Sequence, residues 1–314
     1  MRILFIRLGL YYPELYAGTE LTLHWLCRAL LTHGHEVVVA TNSANAVSGT
    51  VTVDHVCGYR VYRGNNLNDA VEHALVNFQP DVFVAPESGP WLTLLPENIY
   101  NRPLVLYEHQ VSLYANEIPA ELKAHCVYIA NSPATAAHLA ENCGVASTIV
   151  RPLFGIEQYA GLQRHGRSVL FVSTQLRKGA DLATRIAQSR PREKFVFIES
   201  WTETPTRTEP IREHLRRVAN VTLMPNQPGL GHIFPDTKLL LMPSRSQEAW
   251  GRTATEAQIC GIPVLGSSRG NLPMTIGPGG ITLDPDEPLE RWLDALDRKS
   301  TRLNSSHSLI SYAV

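Results

Sequence analysis

Cysteine is scarce in this chain. Its five cysteines, Cys27, Cys57, Cys126, Cys143 and Cys260, are odd in number and contain no CxxC pair. That excludes a disulfide frame and a cysteine-rich zinc site, and it reads as a reduced, intracellular protein with buried free thiols. Long apolar runs are missing too. MRILFIR places four apolar residues together before Arg7, too few for a secretory leader and enough for a buried first strand. No run approaches the roughly 20 residues of a membrane-spanning helix, so a cytoplasmic location is expected. Concentrated positive charge is also absent. Residues 1–150 carry 7 Lys and Arg against 13 Asp and Glu, and residues 151–297 carry 18 against 16. Neither half has the basic field that nucleic acid or an anionic membrane requires, so no nucleic-acid partner is expected. A peripheral membrane contact has no sequence signal beyond this, since no basic amphipathic helix is evident. Finally, no GxGxxG follows the first strand, and a dinucleotide cofactor is unsupported.

What is present is an ordinary globular composition, 44% hydrophobic and 18% charged over 314 residues, long enough for two domains. ILFIRLG reads as a strand, GTELTLHWLCRALLTHG as an amphipathic helix burying Leu21, Leu23, Leu26, Leu30 and Leu31, and HEVVVATN as a second strand. Strand, helix, strand at this spacing is a βαβ unit, which implies a parallel sheet. Strands follow at RVYRG, PDVFVAP, RPLVLYEH and CVYIANS. After a polar, Gly-containing break the alternation restarts with SVLFVST, KGADLATRIAQSR, KFVFIES, IREHLRRVA, NVTLMP, KLLLMPS, TATEAQICG and PVLGSS. The expected fold is therefore α/β, two Rossmann-like, doubly wound parallel-sheet domains facing across a cleft, over residues 1–155 and 156–297. The remaining segment, 298–314, is Ser-rich with no acids or periodicity. It reads as a non-native tail on a truncated chain.

In open parallel sheets, ligands sit at the carboxyl ends of strands. Four such places carry suitable residues. After the first strand, Gly18 and Thr19 open a helix, where a backbone could approach a phosphate or simply cap the helix. His109 ends the strand VLYEH, a position from which imidazole reaches a substrate hydroxyl. His24, His33, His35 and His73 lie on or beside helices and are expected to be solvated. Arg177 and Lys178 precede a helix whose dipole opposes cations there, a conflict that a phosphate would resolve. Glu248 lies in the loop after KLLLMPS, and Glu256 lies in the helix that begins near Thr253. On one continuous helix these carboxylates would sit roughly 80° and about 12 Å apart, so they suit two groups of one extended ligand better than a shared atom. Asp284-Pro285-Asp286 has metal-like spacing, but its prolines favour a solvated turn, and no metal is assigned.

In their order and wording, AGTELTLHWLCRALLTHGHEVVVAT, ANSPATAAHL, FVSTQLRKGADLA and PSRSQEAWGRTATEAQICGIPVLGSSRGNLP resemble the retaining glycosyltransferases of family 4 (group 1), the two-Rossmann-domain type also called GT-B. The last segment matches the E-x7-E signature. The resemblance implies transfer of a sugar, with retention, from a nucleotide-diphosphate sugar to a hydroxyl acceptor, with no cofactor and no essential metal. It implies that Glu248 addresses the donor sugar and that backbone amides of Trp250, Gly251 and Arg252 meet its hydroxyls. Glu256 would hold the ribose, Lys178 the diphosphate, Gly18 and Thr19 the loop beside it, and His109 the sugar. Gly270 and Asn271, in the loop after the strand PVLGSS, complete the donor contacts. The implied partners are a UDP-, GDP- or ADP-sugar and a sugar or other hydroxyl acceptor. The sequence departs from the family at Thr174, where an arginine is usual and Arg177 is a substitute. It departs again at Asn271 and Met274 in the GGxPE loop, and in lacking the C-terminal helix that crosses back to the first domain. The alternatives are a nucleotide-sugar epimerase on the same fold and a non-catalytic nucleotide-sugar-binding protein.

Overall fold

A computed structural model describes residues 1–111, 120–199 and 205–302. The chain divides into two compact units between Phe154 and Gly155. The first runs β1 (Arg2–Arg7), α1 (Gly18–Thr32), β2 (Glu36–Asn42), β3 (Val51–Asp54), β4 (Arg60–Gly64), α2 (Leu67–Phe78), β5 (Val82–Ala85), β6 (Leu104–Glu108), α3 (Ala120–His125), β7 (Cys126–Ala130), α4 (Pro133–His138) and β8 (Thr148–Ile149). Its sheet has the order β3-β4-β2-β1-β5-β6-β7-β8, and every pairing is parallel except β3 with β4.

Alternating residues of the same strands feed separate cores. Leu4, Ile6, Val38 and Leu106 face one side with α2, and Ile3, Phe5, Val37 and Tyr107 face the other with α1. Both faces are covered, as a parallel sheet requires. The inward stripe of α1 is Glu20, Leu23, His24 and Cys27, so Leu21, Leu26, Leu30 and Leu31 are only half-buried. His24 is buried, against the expectation of a solvated ring, because its Nδ1 meets the Tyr59 hydroxyl at 2.9 Å. Burial pushes its pKa down to about 4.

The second unit runs β9 (Ser168–Val172), α5 (Ala180–Ser189), β10 (Lys194–Ile198), α6 (Pro205–Arg216), β11 (Val221–Met224), β12 (Thr237–Met242), α7 (Arg252–Ile259), β13 (Val264–Ser267), α8 (Leu272–Ile276), β14 (Gly280–Leu283) and α9 (Leu289–Arg302). Its sheet, ordered β11-β10-β9-β12-β13-β14, is parallel throughout. Phe171 and Leu241 pack on one face with α5 and Trp292 of α9, and Leu170, Leu240 and Val264 pack on the other. PVLGSS is not the last strand, since β14 adds beside it. A bend and turn over residues 269–271 follows PVLGSS and leads into the short helix α8. Helix α9 continues past residue 297 to Arg302, and the rest of the expected tail lies outside the described residues. Among the described residues, no helix is long and apolar enough to cross a membrane.

Candidate active site

In the second unit the chain leaves β9 in one direction for β10 and β11, and in the other for β12, β13 and β14. The switch point is therefore between β9 and β12, where a doubly wound sheet opens a crevice at its strand ends. The loops leaving these two strands carry Lys178 and Glu248, and the structure joins them. Lys178 Nζ is 2.5 Å from Glu248 Oε1. The same oxygen accepts the Ser244 hydroxyl at 2.7 Å, and Ser244 is buried.

The loops are stitched by backbone as well. The Arg177 carbonyl accepts from the amides of Arg245 at 2.9 Å and Ser246 at 3.0 Å. Gly179 makes this approach possible. It sits at φ 82°, and a Cβ there would fall 2.0 Å from the Pro243 carbonyl oxygen, a distance no side chain could occupy. Gly270 plays the same part from the loop after β13. Its φ is 61°, a Cβ would lie 2.3 Å from the Glu248 carbonyl oxygen, and the Asn271 amide donates to that oxygen at 2.7 Å. The backbone of Glu248 is thus held from one side and its carboxylate from the other.

These contacts change the reading of Arg177 and Lys178. The conflict of two cations with the start of α5 is answered within the protein, Lys178 by Glu248 and Arg177 through its Nε bond to Gln175 Oε1 at 2.5 Å. Asp181 in the first turn of α5 adds the carboxylate that the dipole favours and pairs with Arg245 at 2.7 Å. Arg245 also meets Asp286 at 3.0 Å, and Arg269 meets Asp284 at 3.3 Å and Asp286 at 2.8 Å. The Asp284–Asp286 turn is therefore tied by two arginines.

Glu256 is placed differently from Glu248. It is buried in the second turn of α7, where Arg252 Nε lies 3.2 Å from its Oε1. Burial pushes its pKa up, against the opposing pull of Arg252. Glu248 and Glu256 are gripped by different cations and answer to different surroundings. Gly251, at φ 86° with Leu272 2.6 Å from an imagined Cβ, sets the entry to α7. Trp250 donates from Nε1 to Thr255 Oγ1 at 3.0 Å. Its carbonyl accepts the Thr275 hydroxyl at 2.6 Å, and Asn271 Nδ2 donates to Thr275 Oγ1 at 3.0 Å. Asn271 and Trp250 thereby belong to one framework. Thr174 is buried.

In the first unit the switch point lies between β1 and β5. Gly18 opens α1 with Ala17 as the cap residue, and Thr19 follows. Beside them Arg7 Nε meets Glu20 Oε1 at 2.7 Å. Burial raises the Glu20 pKa even though Arg7 opposes it. His109 is buried just past β6, its ring 4.1 Å from that of Tyr107. Sequence reasoning passed over its neighbour Glu108, the last residue of β6, which is 3% exposed and accepts the Ser88 amide at 2.8 Å. Burial pushes its pKa up to about 7, with Glu87 adding to the shift and Ser88 opposing it. The signal was there: an acid closing an apolar strand is unusual unless something meets it. Among the described residues, no group of three or more His, Cys, Asp or Glu is arranged to hold a metal.

Residues 16–152 match Glycosyltransferase Family 4, and residues 165–313 match Glycosyl transferases group 1. The D-inositol 3-phosphate glycosyltransferase of Mycobacterium leprae (strain Br4923) is 32% identical over 146 residues, 44% of this chain and 34% of that protein. That of Mycobacterium tuberculosis (strain ATCC 25177 / H37Ra) is 32% identical over 145 residues, 44% of this chain and 30% of that one. The matched region spans about a third of the length of these curated relatives. Two solved structures share the fold across nearly the whole chain. Sucrose-phosphate synthase from Thermosynechococcus elongatus superposes with a TM-score of 0.75 at 14% identity, covering 96% of this chain and 90% of that one. Anabaena HepE in complex with UDP-glucose does so with a TM-score of 0.72 at 16% identity, covering 96% and 92%. None of these is an epimerase, and that alternative is not favoured. With two Rossmann-like sheets of this order and both halves matched, the chain belongs to the group 1 glycosyltransferases with a family 4 N-terminal half.

Proposed function

We propose that this protein transfers a sugar, with retention of anomeric configuration, from a nucleotide-diphosphate sugar to a hydroxyl acceptor. The observation that carries the reading is the Lys178–Glu248 pair at the switch point of the second unit. A lysine and a carboxylate fixed together beside the N-terminus of α5 suit a ligand with an anionic part and a hydroxyl-bearing part. The diphosphate takes the lysine and the helix end, and the sugar takes the glutamate.

In the transfer, the bond between the anomeric carbon and the phosphate oxygen breaks. A bond from the acceptor oxygen forms on the same face, and the acceptor proton passes to the departing phosphate. Negative charge grows on that phosphate, and Lys178 stabilises it electrostatically, which is where such a residue contributes most. Glu256 supplies an acceptor for vicinal ribose hydroxyls, with Arg252 holding its carboxylate. The step as proposed uses the chain's own cations and assigns no metal and no further cofactor. A UDP-sugar is the leading donor because HepE, a structural neighbour, is described with UDP-glucose. The curated relatives are named for an inositol phosphate acceptor, which supports a hydroxyl acceptor here.

The test is a panel of radiolabelled UDP-, GDP- and ADP-sugars, incubated with the protein and with hydroxyl acceptors, with and without EDTA. Transfer or slow donor hydrolysis, unchanged by EDTA, is expected with one nucleotide. NMR of the product reports the anomeric configuration. An inverted product would refute retention, and sugar isomerisation or binding without turnover would refute the transferase reading itself.

A further inference from the structure

The second unit's site contains a residue to which the proposed chemistry gives no part. Ser244 follows β12 and is 2% exposed. Its hydroxyl has one proton and four acceptors within reach. The Arg177 carbonyl lies at 3.5 Å, the Ser246 carbonyl at 3.4 Å, the Ser246 hydroxyl at 3.2 Å and Glu248 Oε1 at 2.7 Å. The carboxylate takes the proton, because it is the shortest contact and the one charged acceptor of the four, and such bonds are about twice as strong as neutral ones.

Lys178 reaches the same oxygen at 2.5 Å. A carboxylate oxygen has two lone pairs, and here a hydroxyl and an ammonium group occupy both. Among the described residues no hydrogen bond is made to Glu248 Oε2, which leaves that oxygen for a ligand.

The two donors differ in how firmly they stay. The Lys178 side chain is long, flexible and 28% exposed, so a diphosphate can draw its ammonium group away. Ser244 turns about one side-chain torsion and is buried, and the residues after it are tied down. The amides of Arg245 and Ser246 donate to the Arg177 carbonyl at 2.9 and 3.0 Å. Ser244 therefore keeps its hold on Oε1 when the lysine moves to the phosphate. Glu248 then stays fixed at the moment when a reacting sugar needs its acceptor in place.

We propose that Ser244 is a positioning residue for the transfer. It pins Glu248 Oε1 while Lys178 passes to the diphosphate, and it thereby presents Oε2 to a hydroxyl of the donor sugar. The proposal rests on the reading of this strand end as the donor site. It divides the work there, with the lysine serving the phosphate and the serine, through Glu248, serving the sugar.

The test is a cycle of four proteins, wild type, Ser244→Ala, Glu248→Ala and the double variant, assayed with the radiolabelled nucleotide sugar that wild type uses. Calorimetry with the matching nucleoside diphosphate, UDP, GDP or ADP, runs in parallel. Ser244→Ala should lower kcat/KM for the donor roughly tenfold or more, the usual effect of losing a hydrogen bond to a charged group. Its affinity for the sugar-free diphosphate should stay within about twofold of wild type. In the Glu248→Ala background the same change should add less than about twofold, because a residue that acts through another has nothing left to position. Ser244→Thr keeps the hydroxyl and should stay within about threefold of wild type. Independent losses in the cycle, or a Ser244→Thr variant as slow as Ser244→Ala, would overturn the proposal. So would a loss of diphosphate binding equal to the loss of turnover, which would make the hydroxyl a strut of the whole loop. A wild type that turns over none of the nucleotide sugars would overturn the transferase function and this proposal with it. An active wild type with independent losses would overturn the proposal alone.

Discussion

The polar groups around the two sheets differ in how their acids are compensated. In the second unit every one of these acids is met by a cation, and the two signs nearly balance. Lys178 meets Glu248, Arg252 meets Glu256, Arg245 meets Asp181, and Arg269 meets Asp284 and Asp286. In the first unit acids outnumber cations. Glu14 and Asp54 share Arg63, Glu20 and Glu87 share Arg7, and Glu108 has the Ser88 amide. The difference bears on the ligand that would suit each end. Under the proposed function, a balanced frame suits an incoming diphosphate, whose charge would borrow Lys178 from Glu248. An acid-rich frame favours ligands that donate hydrogen bonds or carry positive charge.

The largest effect is expected where backbone approach leaves no room. Gly179→Ala places a methyl group on the Pro243 carbonyl at a backbone angle that favours glycine. Either the two loops part or the strand ends shift, at a cost of roughly 3 kcal/mol or more. Gly9 in the first unit has a similar φ, 92°, but nothing within 4 Å of its imagined Cβ. Gly9→Ala should therefore cost only about 1 kcal/mol, from backbone strain alone. Denaturant melts of both variants check this. Equal losses would show that the loop junction at Lys178 is no tighter than the first loop of the other unit.

Next come the two carboxylate–cation pairs of the second unit. Lys178→Ala should lower kcat by roughly 100- to 1,000-fold, the usual effect of removing one group that stabilises transition-state charge. Glu256→Ala should instead raise the donor KM, with kcat within a few-fold, because a ribose contact is equally strong before and during the reaction. Steady-state kinetics with the donor identified by the panel separate the two. Wild-type kcat and KM in both variants would break the assignment of this end as the donor site.

Much of the fold was legible, and the reason is hydrophobic patterning. Long apolar strands such as EVVVATN and KFVFI announce themselves, whereas β3, β8 and β14, of 4, 2 and 4 residues, lack a fully buried run. The site was half legible. Lys178 and Glu248 each sit at a strand end in the sequence, but their pairing depends on β9 lying beside β12, which is a matter of sheet order. Gly179 was missed for the same reason, since Pro243 lies 64 positions away, whereas Ser244 meets Glu248 within its own loop, four positions on. His24 was misplaced because the leucines of α1 suggest one face. The buried stripe is set instead by Tyr59, a residue 35 positions on.

A pH-dependent effect separates two buried titrating groups of the first unit. Glu108 has a folded pKa raised to about 7 from an ordinary carboxyl value. The folded state therefore binds more protons than the unfolded chain between about pH 4.5 and 7, and stability falls as pH rises through that window. His24, with its pKa lowered to about 4, acts in the other direction. The unfolded chain binds the extra proton between about pH 4 and 6.5, so its contribution is lost as pH falls. The two slopes oppose each other where the windows overlap. Glu108→Gln keeps an oxygen for the Ser88 amide and removes one slope. The variant should match wild type near pH 4.5, gain on it steadily up to about pH 7, and hold a constant advantage above that. The ceiling is on the order of 3 kcal/mol, less whatever the unmatched amide of glutamine costs. Urea melts across this range measure the difference directly. A difference independent of pH would mean that Glu108 is ionised throughout, and that the acid-rich end of the first sheet is as well compensated as the end of the second.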